Sequence, residues 1–386
     1  MAGISLQGFL FTWLLVGILG RSAAEVGFAR SLAEFPPLLI LLLGGVLGDR
    51  FDNRKYLAVM HLLMIIPPLV IAAVFELGLL SYWWVVLFGL SAAGIQALSD
   101  PARQSTLSRV SRLDVQRAVT VMTIFTSLVG MGAFYLGGRL EILGLATVLG
   151  LQATMFFLGV FAVARLPSLP VAHKVRPSFM AGLAASWQLP LVRNMIGLNF
   201  ISSLFNAGAY IVAIPYIVTE VYLGDAAFFA NVLIVFTAGS IGSNVLLLAF
   251  MPLKYPGRLF IFMQLSRAVI LLILWLQPGL WLFYLMMFSW GLNMGVTSTM
   301  VRTTVQELAP PAVRAQILSV LLLSFLVSSP ISSILLGLLI SASTPLTALL
   351  PGIGVSFIIF VTGLAWSGLW QYHSTGEPLK LAGDPG

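Results

Sequence analysis

Apolar positions in this chain neither alternate nor recur as a helical stripe; they run on in long unbroken stretches. Such runs occupy about residues 4–20, 26–48, 56–75, 80–99, 118–138, 144–164, 194–219, 226–251, 259–277, 280–301, 317–341 and 346–370. Each is close to the ~20 residues that an α-helix needs to cross a bilayer. The breaks between them carry turn chemistry: Gly48-Asp49-Arg50, Asp100-Pro101, Tyr255-Pro256-Gly257 and Ala309-Pro310-Pro311. The longest polar stretch, 165–193, holds Pro167, Pro170, Pro177 and Pro190 and parts the runs into two sets of six. The pattern therefore predicts an all-α integral membrane protein with twelve transmembrane helices in two pseudo-symmetric six-helix halves. The expected divisions are 1–165, a linker 166–193, a second half 194–371 and a tail 372–386. Within the linker, residues 178–189 read as a short amphipathic helix lying at the interface. The first run is at the short limit, with Met1-Ala2-Gly3 ahead of it and no basic lead-in. One reading is that its true beginning is missing.

Composition sharpens this. Of 386 residues 59% are hydrophobic and only 9% charged, against roughly 25% charged in an ordinary soluble domain. That balance excludes a soluble enzyme, a disordered chain and a nucleic-acid-binding module. The net charge of +7 belongs to topology instead. If the runs alternate across the membrane, sixteen of the twenty Lys and Arg residues fall on one side. Arg21 and Arg139 fall on the other, and Arg30 and Arg267 lie inside runs. Positive loops stay in the cytoplasm, so both termini are expected there, in a multi-pass inner-membrane protein. There are no cysteines, hence no disulfide.

The two sets of six carry a faint repeat. Arg103-Gln104-Ser105-Thr106 and Arg302-Thr303-Thr304-Val305 follow the fourth run of each, and at the same offset of 199 Gly138 meets Gly337. Duplication of this kind is common in secondary transporters.

The segment Gly44–Lys55 is the most specific. Its glycines permit close helix approach, Asp49 is placed to meet a positive helix N-terminus, and Arg50 and Arg54 are placed to pair with an acid such as Asp100. The spacing Gly45-x-x-x-Asp49-Arg50-x-x-x-Arg54-Lys55 resembles motif A of the major facilitator superfamily, with Asp52 where a second glycine is usual. The run Asp100-Pro101-Ala102-Arg103-Gln104 is similar to a drug and siderophore exporter subgroup that includes enterobactin exporters and macrolide efflux permeases. Ala133-Phe134-Tyr135-Leu136-Gly137-Gly138 keeps the small residue and paired glycines of an antiporter motif but not its proline. The counterpart of motif A near residues 251–258 is degenerate. The resemblance implies a 6+6 bundle with a central cavity and rocking alternating access. It also implies a cytoplasmic gate built from Gly45, Asp49, Arg50, Arg54, Asp100 and Arg103, and helix packing at Gly137 and Gly138.

Polar residues inside the runs each need a reason. Arg30 and Glu34 stand one turn apart and are candidates for a proton-coupling or charge site, or for a structural ion pair. Asn199, Ser203, Asn206 and Tyr210 follow at i, i+4, i+7 and i+11. With Gln96 and Asn293 they are candidates to line a wet cavity, or to bond neighbouring helices. Arg267 and His61 read as structural, Arg267 snorkelling toward the interface. Trp83, Trp84, Trp281 and Tyr284 read as interfacial anchors.

No Gly-Lys dipeptide, His-Glu-x-x-His or Gly-x-Ser-x-Gly occurs, so no nucleotide loop, zinc helix or nucleophile elbow is present. No cofactor or metal is expected, and a monomer is. The sequence predicts a proton-coupled secondary transporter that exports an amphiphilic small molecule. The alternatives are a carrier of another direction or substrate class, metabolite or lipid-like, or a transport-inactive sensor.

Overall fold

A computed structural model of the chain describes residues 1–43, 52–110, 115–166, 179–250 and 253–374. Helices account for all regular structure among the described residues. In chain order they are α1 (Ala2–Trp13), α2 (Ala23–Leu43), α3 (Asn53–Leu63), α4 (Ile66–Glu76), α5 (Tyr82–Val110), α6 (Val115–Gly137) and α7 (Leu145–Ala164). They continue as α8 (Phe179–Gln188), α9 (Pro190–Gly208), α10 (Ala226–Phe250), α11 (Pro256–Trp275), α12 (Leu280–Leu308), α13 (Arg314–Ala342) and α14 (Leu350–Ala365). Lipid offers the backbone no hydrogen-bond partner, so only helices suit a chain this apolar.

Among the described residues, nine helices are long and apolar enough to cross a membrane. The runs at 4–20, 26–48 and 118–138 also fall on helices but stop short of that measure. The first is a 17-residue apolar helix over Ala2–Ile18, and the third is apolar over Met122–Gly137. α2 carries Glu25, Arg30 and Glu34 within 21 residues. The expectation of twelve spans is thus met by nine clear ones.

Two stretches depart from α geometry. π-helical turns extend α1 over Leu14–Ile18 and extend α9 over Ala209–Ala213 and again over Ile217–Val221. Such turns hold one residue more than an α turn and are frequent at functional sites.

By internal contacts the chain resolves into two units: Met1–Val175 with Pro215–Ile234, and Arg176–Ile214 with Val235–Gly386. The first is built around α1. A Cβ added at Gly89 would stand 2.4 Å from the Phe11 ring, one at Gly137 2.5 Å from Phe9, and one at Gly130 3.0 Å from the Ser5 hydroxyl. The glycines of α5 and α6 therefore seat the side chains of α1. α7 adds a buried amide pair: Gln152 Nε2 donates to Gln7 Oε1 (2.6 Å) and to the Gly3 carbonyl (3.1 Å).

In the second unit backbones approach even more closely. A Cβ at Gly291 of α12 would lie 1.9 Å from the Phe236 carbonyl of α10, and one at Gly239 of α10 2.1 Å from the Phe288 carbonyl. Gly208 of α9 meets Ser332 of α13, whose hydroxyl accepts the Gly208 N–H at 2.7 Å. Asn206 of α9 donates toward Ser356 of α14 at 3.4 Å.

α8 falls within residues 178–189. Its buried Ala185 and Ser186 and its Gly182, pressed on the Gln316 carbonyl, face α13, while Trp187 is exposed. Past α14 an irregular strap, 366–374, runs beneath the ends of α9 and α11. Leu369 is fully buried against Gly257, Arg258 Nε donates to the Trp370 carbonyl (2.8 Å), and the Ser374 N–H donates to the Lys254 carbonyl (2.9 Å). The Ser374 hydroxyl also bonds the Glu307 carboxylate.

Because Gly291 touches backbone rather than a flexible side chain, Gly291→Leu is expected to cost at least about 1–3 kcal/mol, the usual penalty of overpacking. Thermal unfolding in detergent reads this. Gly197→Ala on α9, where a Cβ meets nothing within 4 Å, serves as the control that does not lower the midpoint, Ala being the better helix residue by about 0.5–1 kcal/mol.

Candidate functional site

Of the expected gate, Gly45, Asp49 and Arg50 lie outside the described residues. The rest can be placed. Asp52 ends the loop as the N-cap of α3, its carboxylate accepting the Arg54 N–H at 3.0 Å. That role gives a physical reason for an Asp where glycine is usual. The Arg54 side chain is exposed. α3 is tied to α5 by Tyr56, whose hydroxyl donates to the Leu98 carbonyl (3.1 Å), and by Asn53 and Thr106 at 3.5 Å. Asp100 pairs with Arg103 of its own helix at 2.6 Å, both side chains about one-third exposed.

Arg30 reaches across to α1. It donates to the Gly8 carbonyl (3.2 Å) and to the Thr12 hydroxyl, and it lies 5.1 Å over the Phe11 ring. Glu34 sits half-buried one turn further along α2. Arg30 therefore also helps to hold α1, beside whatever it does with Glu34.

At the opposite end of the first unit from Asn53, a second cluster forms. Gly137 receives Phe9, which stacks on Phe229 at 5.4 Å; Trp13 stacks on the same ring at 5.8 Å. A Cβ on Gly138 would stand 2.7 Å from Ala230 Cβ and 3.2 Å from Ala227 Cα. The paired glycines thus form a seat for the first turns of α10. Polar contacts flank it. Tyr216 donates to the Arg21 carbonyl (2.6 Å), and Glu141 accepts the Ala226 N–H at 3.5 Å. Ser22 and Glu25 make a reciprocal cap at the start of α2, the Ser22 N–H donating to the Glu25 carboxylate (3.0 Å) and the Glu25 N–H to the Ser22 hydroxyl (3.4 Å).

The polar stripe on α9 is only partly as expected. Asn199 and Asn206 are buried, Ser203 and Tyr210 half-buried. Asn206 bonds Ser202 and Ser356, not Ser203. Tyr210 falls in the π turn and stacks on Phe236 (4.2 Å) with Trp290 edge-on at 6.0 Å. Gln96 of α5 is half-buried.

Of the two readings of Arg267, structural or snorkelling, the snorkelling one is excluded: the residue is buried at 6% exposure. Its Nε and Nη2 donate to Asn293 Oδ1 (3.0 and 2.9 Å), Nη1 to Ser202 Oγ (2.8 Å) and Nη2 to Thr297 Oγ1 (3.2 Å). Asn293 in turn donates to Ser266 and to the Met263 carbonyl, both at 2.6 Å, and Ser202 donates to Gln264 Oε1 at 3.0 Å. Depth along the run suggested snorkelling, but the side of α11 that carries Arg267 turns toward α9 and α12, not to lipid. Ser202, Gln264, Thr297 and Ser356 were missed. The signal for three of them was i, i+3 or i+4 spacing to polar neighbours already noted: Ser202–Asn206, Gln264–Arg267 and Asn293–Thr297.

Residues 2–368 match the model of a family described as transmembrane secretion effectors. No curated protein sequence matches the chain. Among solved structures, the nucleoside transporter NupG is similar at TM-score 0.73 and 13% identity, covering 96% of this chain and 98% of that one. A POT family transporter in complex with 5-aminolevulinic acid is similar at 0.73 and 14%, covering 96% and 93%. A D-xylose-proton symporter is similar at 0.68 and 14%, covering 98% of each chain.

Two outcomes follow from this geometry. Gly138→Ala is expected to press on α10 and to lower the midpoint of thermal unfolding, while Gly132→Ala, where a Cβ meets nothing within 4 Å, does not lower it. The Ser22 N–H and hydroxyl, with Arg21, hold the Glu25 carboxyl below its ordinary value, and Glu25 precedes the apolar run. The stabilisation from this cap is complete above the unfolded carboxylate value of about 4.3 and is lost as pH falls through the lower folded one. Hydrogen exchange at the start of α2, followed from pH 7 to 3, reads that loss; Ser22→Ala, which keeps the backbone N–H bond, reduces the pH dependence and Glu25→Gln abolishes it.

Proposed function

Because the chain belongs to the transmembrane secretion effector family of major facilitator transporters, we propose that it exports an amphiphilic small molecule from the cytoplasm by alternating access, driven by a proton gradient. It is a multi-pass integral membrane transporter and not an enzyme. The observation that carries the export reading is the family match over residues 2–368, whose description is of secretion. The close packing of Gly138 on Ala226, Ala227 and Ala230 supports it, because small-residue contacts of this kind can separate and re-form at low cost.

In this reading twelve spans form two sets of six, with α1, α2 and α6 supplying the spans that fall short of the measure above. Both termini lie in the cytoplasm. Asp49, Arg50, Arg54, Asp100 and Arg103 latch the cytoplasmic ends, on Gly45 as the close-approach residue. Glu34, beside Arg30, takes up the coupling proton. Gln96, Asn199, Ser203 and Tyr210 line the pathway, and Asn206 and Asn293 contribute to it through the network around Arg267. Substrate of an amphiphilic kind suits spans whose inner polar groups are few.

The test is uptake into everted membrane vesicles of lipophilic dyes, macrolides and siderophores, with and without an uncoupler. Uptake that collapses with the uncoupler is expected. Asp49→Ala is expected to reach the membrane at equal abundance and to transport at least tenfold more slowly. Normal rates in that variant would remove the latch, and uptake indifferent to the uncoupler would remove the proton as driver.

A further inference from the structure

The second unit places one full positive charge in the membrane interior with no acid to meet it. Between Asp225 and Glu307 the sequence has no Asp or Glu, and none follows Glu307 until Glu377. Arg267 is held only by neutral oxygens, those of Asn293, Ser202 and Thr297. Burying a guanidinium so costs more than burying an apolar residue of like volume, and an intramembrane cation calls for a partner.

The surroundings lack acceptors rather than donors. Four hydrogen bonds take four of the five guanidinium N–H groups. One helical turn away, Gln264 is fully buried and its Nε2 has no hydrogen-bond partner, while its Oε1 accepts from Ser202. The amide Nδ2 of Asn199, one turn before Ser202, is likewise buried and unpartnered. Against these, among the described residues of the cluster, stands one unpartnered acceptor, Asn206 Oδ1. Surplus N–H donors beside a lone guanidinium make a site that an anionic oxygen completes, by charge-assisted bonds about twice as strong as the neutral ones they replace. Ser202 and Asn206 lie just ahead of the π turn at Ala209–Ala213, where α9 is least regular.

We propose that Arg267, with Gln264 beside it, is the counter-charge for an anionic group on the transported molecule, a carboxylate or phosphate. The neutral partners of Arg267 hold it when that group is absent. The proposal rests on the transporter reading and narrows its amphiphile to an anionic one.

Benzoate and its neutral isostere benzamide serve as probes, in thermal unfolding of the purified full chain in detergent. Benzoate is expected to raise the wild-type midpoint saturably, by about 2–4 °C at ten times its dissociation constant, and benzamide to leave it unmoved. Arg267→Met is expected to abolish the benzoate shift, Arg267→Lys to reduce it, and Gln264→Leu to weaken the apparent affinity. Should Arg267→Met not fold, the Lys and Leu variants decide. A merely structural arginine predicts altered midpoints but the same benzoate response in every folded variant, and that result, or no response in the wild type, overturns the proposal. Wild-type protein that moves a lipophilic cation into everted vesicles yet ignores benzoate overturns it too, and leaves the carrier reading standing.

Discussion

A hydrocarbon interior gives a peptide group nothing to bond to, and most of this molecule follows from that. Each backbone must close its own hydrogen bonds, so the chain is helical wherever it is apolar. Most buried side-chain amides, hydroxyls and guanidinium groups bond along their own helix or across to a neighbouring one. Gln7 finds Gln152, Asn206 finds Ser202 and Ser356, and Arg267 finds Asn293, Ser202 and Thr297. These contacts fix which faces meet, because turning any one helix about its axis would leave a polar group in lipid at a cost of several kcal/mol.

Attraction between helices comes from a different source. Lipid tails are as apolar as leucine, so association rests on close packing. The two units meet this need in distinct ways. In the first, the glycines of α5 and α6 receive aromatic side chains of α1, with Phe11 on Gly89 and Phe9 on Gly137. In the second, glycines of α10 and α12 receive backbone carbonyls directly. A ring over a glycine has room to slide; a carbonyl within van der Waals reach of a Cα does not. The sliding seat at Gly137 and Gly138 and the fixed crossing at Gly291 are therefore suited to different work.

Much of this was legible in the sequence, for reasons that also mark where legibility ends. Hydropathy located the helices because the bilayer sets a length that composition must match, and nine stand out plainly among the described residues. The three other runs fall on α1, α2 and α6. The paired glycines were legible as small residues in an apolar run, but their partners, Phe9 and residues 226–230, were not. Tyr210 was aligned with Asn199 by 3.6-residue periodicity, yet the π turn at Ala209–Ala213 breaks that period without any compositional mark. For Arg267 the choice between a structural and a snorkelling role stayed open, because a linear sequence gives depth in the membrane and not azimuth about the helix. Ser202 was passed over for Ser203 for the same reason: one residue is about 100° of rotation.

An enclosed guanidinium without a neighbouring carboxylate has an electrical consequence. The membrane potential acts on net charge, and complete passage of one elementary charge through it is worth about 2.3 kcal/mol per 100 mV. A bound monovalent anion would cancel the charge of Arg267, so the loaded and unloaded protein would differ in how strongly the field acts on α11. An inside-negative voltage would then bias the unloaded form alone, and the turnover of this transporter would be rectified by the membrane it sits in.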